Sequence, residues 1–193
     1  MDAAGRVRAA MATHPRERFL PASEVRRAAY DGPLDIGHGQ TNSQPRTVQA
    51  MLELLDVQPG QRVLDVGSGS GWTTALLAEL VGPTGSVLGV ERVPDLVVTG
   101  AANVEARRMP WARVRAAVTG VLGAPDEAPF DRVLVSAMAT RLPLELVAQL
   151  GATGILVVPV AGRMLRVQRD ADAPDGRRVT EHGHYRFVPL VTD

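Results

Sequence analysis

The sequence predicts an α/β fold: a doubly wound, mostly parallel sheet with an N-terminal helical extension and an antiparallel C-terminal edge. Three observations predict it. Past residue 60, short β-rich runs alternate with helical stretches at the spacing of strand–helix–strand units, which close through right-handed crossovers. A glycine-rich turn, "GSGSG", directly follows the first of these runs. Near the C-terminus, strand patterning continues with no helix between the runs, as an antiparallel edge requires.

The β-rich runs are "QRVLDVG" (61 to 67), "GSVLGVE" (85 to 91), "ARVRAAV" (112 to 118), "FDRVLVSA" (130 to 137) and "GILVVPV" (154 to 160). Between them lie "WTTALLAELVG" and "PDLVVTGAANVEARR". A third helical stretch, "PLELVAQLG", follows the fourth run and ends in Gly151, suited to a helix stop. "MLRVQRD" and "VTEHGHYRFVPLV" read as the C-terminal strands, joined by an exposed turn, "DADAPDG", at 170 to 176. Ahead of the sheet, 2 to 12, 22 to 30 and 46 to 56 read as helices. The polar stretch "IGHGQTNSQP" (36 to 45) falls between the last two of these, outside the sheet. The chain is expected to be one domain, with an extension over 1 to 58 and a sheet core over 59 to 193.

Composition excludes several kinds of chemistry. All 21 basic residues are arginine, so a lysine Schiff base and a phosphate-loop lysine are ruled out. There is no cysteine, hence no thiol nucleophile, disulfide or cysteine metal site. The 21 arginines balance 21 acidic residues, so no global field favours nucleic acid or an anionic membrane. The longest apolar runs, such as "ILVVPVA", are far too short to span a bilayer, and the N-terminus lacks a signal-peptide apolar region. A monomeric cytoplasmic protein with no nucleic-acid or membrane partner and no metal is expected.

In "VLDVGSGSGW" the glycines Gly67, Gly69 and Gly71, with Ser68 between the first two, lie between a strand and a helix, where the backbone turns sharply and a ligand can approach it closely. A dinucleotide fingerprint requires a third glycine three places after the second, and Trp72 stands there. Asp65, two residues before Gly67, would repel a phosphate but tolerate a cationic ligand. Glu91, at the end of the second strand, can accept two hydrogen bonds from a ribose diol. Together these describe a nucleoside site without phosphates, as S-adenosylmethionine requires. The plainer alternative is a tight turn and a solvated strand-end charge.

From "RFLP" (18 to 21) through "AYDGPLDIGHGQTNSQP", "VLDVGSGSGW", "GPTGSVLGVE" and "EAPFDRVLVSA" to "YRFVPL" (185 to 190), the sequence resembles the protein-L-isoaspartate O-methyltransferase family. The glycine motif is general to class I methyltransferases with Rossmann-like sheets; "GHGQT" followed by "SQP" is the specific part. The resemblance implies methyl transfer from S-adenosyl-L-methionine, leaving S-adenosyl-L-homocysteine, to the free α-carboxylate of an isoaspartyl residue in a damaged protein or peptide. It assigns Ser43 a functional role, with Thr41 beside it as the second catalytic candidate. Asn42, His38 and Val188 are then candidates to meet the substrate. Counting back from "EAPFD" puts Thr119 and Gly120 at the adenine end of the cofactor site, alongside Asp65, Gly67, Ser68, Gly69, Gly71 and Glu91. Ser43 could equally be the N-cap of the helix entered at Pro45, and the two roles are compatible. That helix start is expected to offer unpaired N–H groups and a positive dipole end.

Four departures from the family pattern fall near the expected pocket. Asn42 replaces an apolar residue. Val118, Thr119 and Gly120 replace Gly-Asp-Gly, whose aspartate bonds adenine. "AMAT" (137 to 140) replaces "AAAP", and "AGRMLRV" is short where a glycine-rich segment is usual. They leave open a different carboxylate acceptor, on a modified peptide or natural product, or a noncatalytic S-adenosylmethionine-binding protein. His182 and His184 share a strand face, which permits metal binding, though surface histidines are the commoner case. "RRMPWARVR" (107 to 115) has the composition of a nucleic-acid patch or, more simply, of a charged helix end leading into a strand.

Overall fold

The computed structural model describes residues 2–191. Helix α1 (Ala3–Thr13) opens the chain and is followed by a 3-10 turn at Arg16–Phe19. The segment expected as a helix over 22 to 30 holds instead turns and a single 3-10 turn, Val25–Arg27. It has no apolar face to bury: Val25 and Tyr30 are exposed, and a helix without a packed face is not sustained.

The polar stretch is not a plain loop. Strands β1 (Leu34–Gly37) and β2 (Gln40–Asn42) pair antiparallel in a two-stranded sheet of their own. The turn Gly37-His38-Gly39 lies wholly at positive φ, which explains both glycines. Helix α2 (Pro45–Leu55) starts on a proline and buries Val48, Met51, Leu52 and Leu55, one apolar stripe at helical spacing. Its last two carbonyls are taken by arginines, Arg166 Nε donating to Leu54 O and Arg132 Nε to Leu55 O, and just beyond the helix Arg6 Nη2 donates to Val57 O.

The main sheet has the strands β3 (Arg62–Val66), β4 (Ser86–Glu91), β5 (Ala112–Ala116), β6 (Phe130–Val135), β7 (Leu150–Val160), β8 (Arg163–Arg169) and β9 (Arg177–His184). Their order is β5-β4-β3-β6-β7-β8-β9, parallel from β5 to β7 and antiparallel thereafter, as predicted. Helices α3 (Trp72–Val81) and α4 (Pro94–Glu105) link β3, β4 and β5. Alternation along the strands divides the core in two. Val63, Leu134, Ile155 and Val157 face α1, α2 and α3, while Leu64, Val66, Val133, Val135, Leu156 and Val158 pack with Leu146 and Val147 of α5 (Leu144–Ala148) on the other face.

Two boundaries differ from expectation. Helix α5 stops before Gln149, and Gly151 lies inside β7 instead of capping a helix. The Gln149 side chain accepts from Ala124 N and donates to Leu122 O, and its carbonyl accepts from Phe130 N, so the chain is already in the sheet. The C-terminal run ends as a strand at His184. Beyond it the chain returns over the end of β6, with Met138 N donating to Val188 O and Leu190 N to Met138 O.

Strands are added to one side of β3 as far as β5 and to its other side from β6 onward; the crevice at the carboxyl ends of the strands at such a switch point is where ligands bind in open α/β sheets. The glycine loop lies there, pressed against α4. A Cβ on Gly100 would stand 2.7 Å from Gly69 O, and one on Gly71 2.8 Å from Gly100 O. Gly100→Ala should therefore destabilise the protein by about 1–3 kcal/mol, even though alanine is the better helix former. Thermal unfolding will show this as a fall of several degrees; an unchanged or raised midpoint would mean that the loop yields freely.

Candidate active site

A cavity with about 1160 Å³ of empty space, part of it open to solvent, lies over the carboxyl ends of β3 and β4. Its walls come from four places. Gly67, Ser68, Gly69 and Ser70 form the floor, and Thr41, Asn42 and Ser43 come from the β2–α2 junction. Val118, Thr119, Val121 and Leu122 follow β5, and Val188, Pro189 and Leu190 arrive from the C-terminal segment. The hairpin roofs the floor: Ile36 Cδ1 would lie 3.2 Å from a Cβ on Gly69.

Of the expected site residues, Ser43, Thr41, Asn42, Val188, Gly67, Ser68, Gly69, Glu91 and Thr119 line this cavity. Asp65, Gly71, Gly120 and His38 are not among the lining residues, each for a physical reason. Asp65 is fully buried beneath the loop, where its Oδ2 accepts from Thr73 Oγ1 and Thr74 Oγ1, both at 2.7 Å. It ties the strand to the start of α3. Gly71 is required by its packing on α4. Gly120, at positive φ, makes an exposed turn beyond the rim. His38 is exposed at the hairpin tip, with Nε2 3.2 Å from Asp95 Oδ2 on the first turn of α4.

Two retained residues are engaged differently from expectation. Glu91 Oε2 accepts from Gly69 N at 2.9 Å, and Oε1 accepts from Arg92 N and Val93 N. Three of a carboxylate's roughly four acceptor positions are thus filled, leaving one for a ligand and not two. Asn42 is buried and its side chain is occupied: Oδ1 accepts from Arg16 Nε at 2.8 Å and Nδ2 donates to Ser70 Oγ at 3.2 Å. Its side chain holds protein to protein, although the residue still borders the cavity where a substrate contact was expected.

The start of α2 also differs. The N-cap is Gln44, with no side-chain cap bond, so Ser43 does not cap the helix. Pro45 has no N–H, and Arg46 N donates to Asp31 Oδ1, so the helix start has fewer amides to offer than expected.

Arg16 escaped notice in the sequence. It is 4% exposed, and besides Asn42 Oδ1 it donates to Asn42 O (2.7 Å), Gly32 O (2.8 Å) and Tyr30 O (3.0 Å). Its guanidinium lies 5.8 Å from the ring centre of Trp72. Burial lowers its pKa from the ordinary arginine value, opposed by the charges of Asp31 and Glu24. A lone arginine next to a proline reads as surface charge, and only its placement against the Gly32 and Asn42 backbone shows otherwise.

The family model for protein-L-isoaspartate(D-aspartate) O-methyltransferase matches residues 2–193. The chain belongs to that family. A relative from Aeropyrum pernix, named protein-L-isoaspartate O-methyltransferase, is 45% identical over 189 residues, covering 96% of this chain and 72% of that protein. Another of that name, from Methanopyrus kandleri, is 43% identical, covering 96% of this chain and 83% of its own length. A solved Plasmodium falciparum protein-L-isoaspartate O-methyltransferase, in complex with S-adenosyl-L-homocysteine, superposes with a TM-score of 0.82 at 26% identity, covering 97% of this chain and 91% of that one.

Other sequence features resolve as structure. Arg113 and Arg115 of the arginine-rich segment pair with Glu127 and Asp126, Arg107 lies over Phe19, and Trp111 Nε1 donates to Ala78 O. His182 Nε2 lies 2.7 Å from Thr180 Oγ1, and among the described residues no group of three or more His, Cys, Asp or Glu could hold a metal ion. No helix among them is long and apolar enough to cross a membrane.

Burial pushes the Asp65 carboxyl up to about 6, opposed by the Thr73 and Thr74 hydrogen bonds and reinforced by the charge of Glu91. The folded state therefore keeps this proton above pH 3.8, where the unfolded chain releases it. Stability is lost as pH rises from about 4 to above 6, by on the order of 3 kcal/mol. Denaturant unfolding of wild type and Asp65→Asn across this range should show the wild type losing ground to the variant as pH rises. A difference that stays flat would mean that Asp65 is charged throughout.

Proposed function

We propose that this protein is an S-adenosyl-L-methionine-dependent carboxyl O-methyltransferase acting on the α-carboxylate of L-isoaspartyl residues in proteins or peptides. One observation carries the reading: the glycine loop and the Thr41–Ser43 hydroxyl segment line the same cavity. The residues suit this cofactor. Ser68 Oγ lines the cavity, is buried and has no protein partner, so it offers a hydrogen bond to a polar ligand group. Glu91 keeps one acceptor position for a ribose hydroxyl, and Val90, Val118, Val121 and Leu122 supply apolar surface for a base. Thr119 lines the cavity where the family pattern has an aspartate, so a hydroxyl and not a carboxylate would be offered to an adenine there.

Bound S-adenosylmethionine supplies an electrophilic methyl group on a sulfonium. The residues of the chain need only position the acceptor. A carboxylate is ionised at neutral pH, its pKa being about 4, so no general base is required. Ser43 Oγ donates a hydrogen bond that orients the carboxylate, with Thr41 beside it; holding both reactants in line is worth roughly 7–11 kcal/mol of barrier in all, of which one hydroxyl supplies a small part. A hydroxyl suits the task better than an arginine, whose full charge would also stabilise the nucleophile. Val188 and Leu190 close the wall from the C-terminal segment. The reading includes a monomer acting in the cytoplasm, with no nucleic-acid partner, in keeping with balanced charge.

The experiment is methyl transfer to an isoaspartyl peptide and to its aspartyl twin. Labelling confined to the isoaspartyl peptide is expected; equal or absent labelling of both removes the assignment. Methyl-ester formation on other carboxylates, with the isoaspartyl peptide inert, would favour a different acceptor. Ser43→Ala should lower turnover by roughly 10- to 100-fold while cofactor affinity stays within about threefold. Because Ser43 caps no helix, the melting temperature should hardly move. A variant with full turnover would take the acceptor role from Ser43.

A further inference from the structure

The acceptor segment is carried by a hairpin with no pairing to the main sheet. Two strands alone are marginal in water, so something else must set the height of Thr41 and Ser43 above the glycine loop. At the tip, the His38–Asp95 pair is exposed on both sides and weakly constraining. Ile36 makes an apolar contact at Gly69, which limits approach but not sliding.

The directional link lies between the two catalytic candidates. Arg16 grips Asn42 twice, at Oδ1 and at the main-chain carbonyl, and holds Gly32 O with its remaining Nη2 hydrogen. Asn42 in turn donates to Ser70 Oγ, a buried residue of the glycine loop that also lines the cavity. Ser70 O accepts from Asn103 Nδ2 on α4, fixing the far end of the chain of contacts. Three buried polar side chains, Arg16, Asn42 and Ser70, therefore run without a break from the 3-10 turn through the acceptor segment to the cofactor loop.

We propose that Arg16 and Asn42 are positioning residues, which lock the Thr41–Ser43 segment to the glycine loop through Ser70 and so set the distance over which the methyl group is transferred. This rests on the reading that Ser43 holds the acceptor carboxylate. An error of about 1 Å in such a distance can cost on the order of 100-fold in rate. Arg16 lies outside the cavity lining, and the Asn42 side chain, although it borders the cavity, is committed to Arg16 and Ser70, so loss of the link should fall on kcat more than on cofactor affinity.

Asn42→Leu removes both side-chain bonds at similar volume. With an isoaspartyl peptide as acceptor it should lower kcat by about tenfold or more, while the calorimetric Kd for S-adenosylmethionine stays within about threefold. Asn42→Asp should restore most of the turnover, since a carboxylate can accept from both Arg16 Nε and the Ser70 hydroxyl. Ser70→Ala cuts only the link to the glycine loop and keeps the fold safe should Asn42→Leu fail to fold; a several-fold loss of kcat is expected there. Amide hydrogen exchange at residues 41 to 43, measured without acceptor, should quicken in Ser70→Ala. Wild-type kcat and wild-type exchange in Ser70→Ala overturn the proposal, as does equal impairment of Asn42→Asp and Asn42→Leu. A wild-type enzyme inert on the isoaspartyl peptide, with faster exchange in the variant, would instead remove the acceptor reading and keep the link.

Discussion

The buried Arg16 guanidinium is the interaction on which the working part of this molecule depends. Taking a permanent charge out of water is costly unless every donor finds an acceptor, and the acceptors here are fixed by the fold: carbonyls of Tyr30, Gly32 and Asn42, and the Asn42 side chain. Satisfying one cation thus dictates the path of the chain from residue 30 to residue 42, a stretch with no helix to order it. The same device recurs at the other end of α2, where Arg166 and Arg132 take the last two carbonyls and Arg6 the carbonyl of Val57 just beyond. A chain without lysine has the residue best suited to this, because a planar fork can bridge two or three carbonyls where an ammonium is a single point. Helix α2 is held at both ends, and the acceptor segment is the strut between it and Arg16.

Beneath the cofactor loop, two carboxylates serve the loop more than any ligand. Asp65 draws in the hydroxyls of Thr73 and Thr74, and Glu91 collects the amides of Gly69, Arg92 and Val93. The strand, the turn and both following helices are therefore tied at one point. Glycines complete the tie, since only their missing side chains let the Gly69 carbonyl meet the backbone of α4 at Gly100. The loop meets a ligand already shaped, which lowers the ordering cost of binding. With two acidic side chains close by and Trp72 where a phosphate would need open backbone, the loop favours a cationic ligand over a phosphorylated one.

Most of the sheet was legible because it rests on local patterns: period-2 apolar runs, glycine stops and crossover spacing. So was the location of the site, which follows from strand order and the glycine turn. What escaped were features whose energy is tertiary. The segment 22 to 30 has helix-forming residues but no partner for an apolar face, and propensity alone could not sustain it. The hairpin at 34 to 42 is too short to show a period, and its turn is stabilised by glycines that read equally as loop. Asp65 and Gly71 looked like ligand contacts because they share a motif with true lining residues, although one is buried under the turn and the other faces α4. Arg16 carried no signal at all, since a buried arginine is recognised only by the carbonyls it finds.

The departures from the family pattern look different once placed. Asn42 is the hub of an internal link, so a polar residue there reports the company of Arg16 and Ser70 and not a new acceptor. The "AMAT" segment is similarly internal: the Met138 and Ala139 backbones pair with Val188, Leu190 and Pro159, which seats the C-terminal wall of the cavity. Thr119 remains a departure at the ligand itself, but its loop is braced from behind by Gln149, bonded to Ala124 N and Leu122 O. A braced backbone has amides and carbonyls of its own to offer a base, a route to binding adenine that needs no carboxylate. Of the four departures, then, two are accounted for by the protein's own packing, and the cavity keeps the glycine loop and the Thr41–Ser43 segment together.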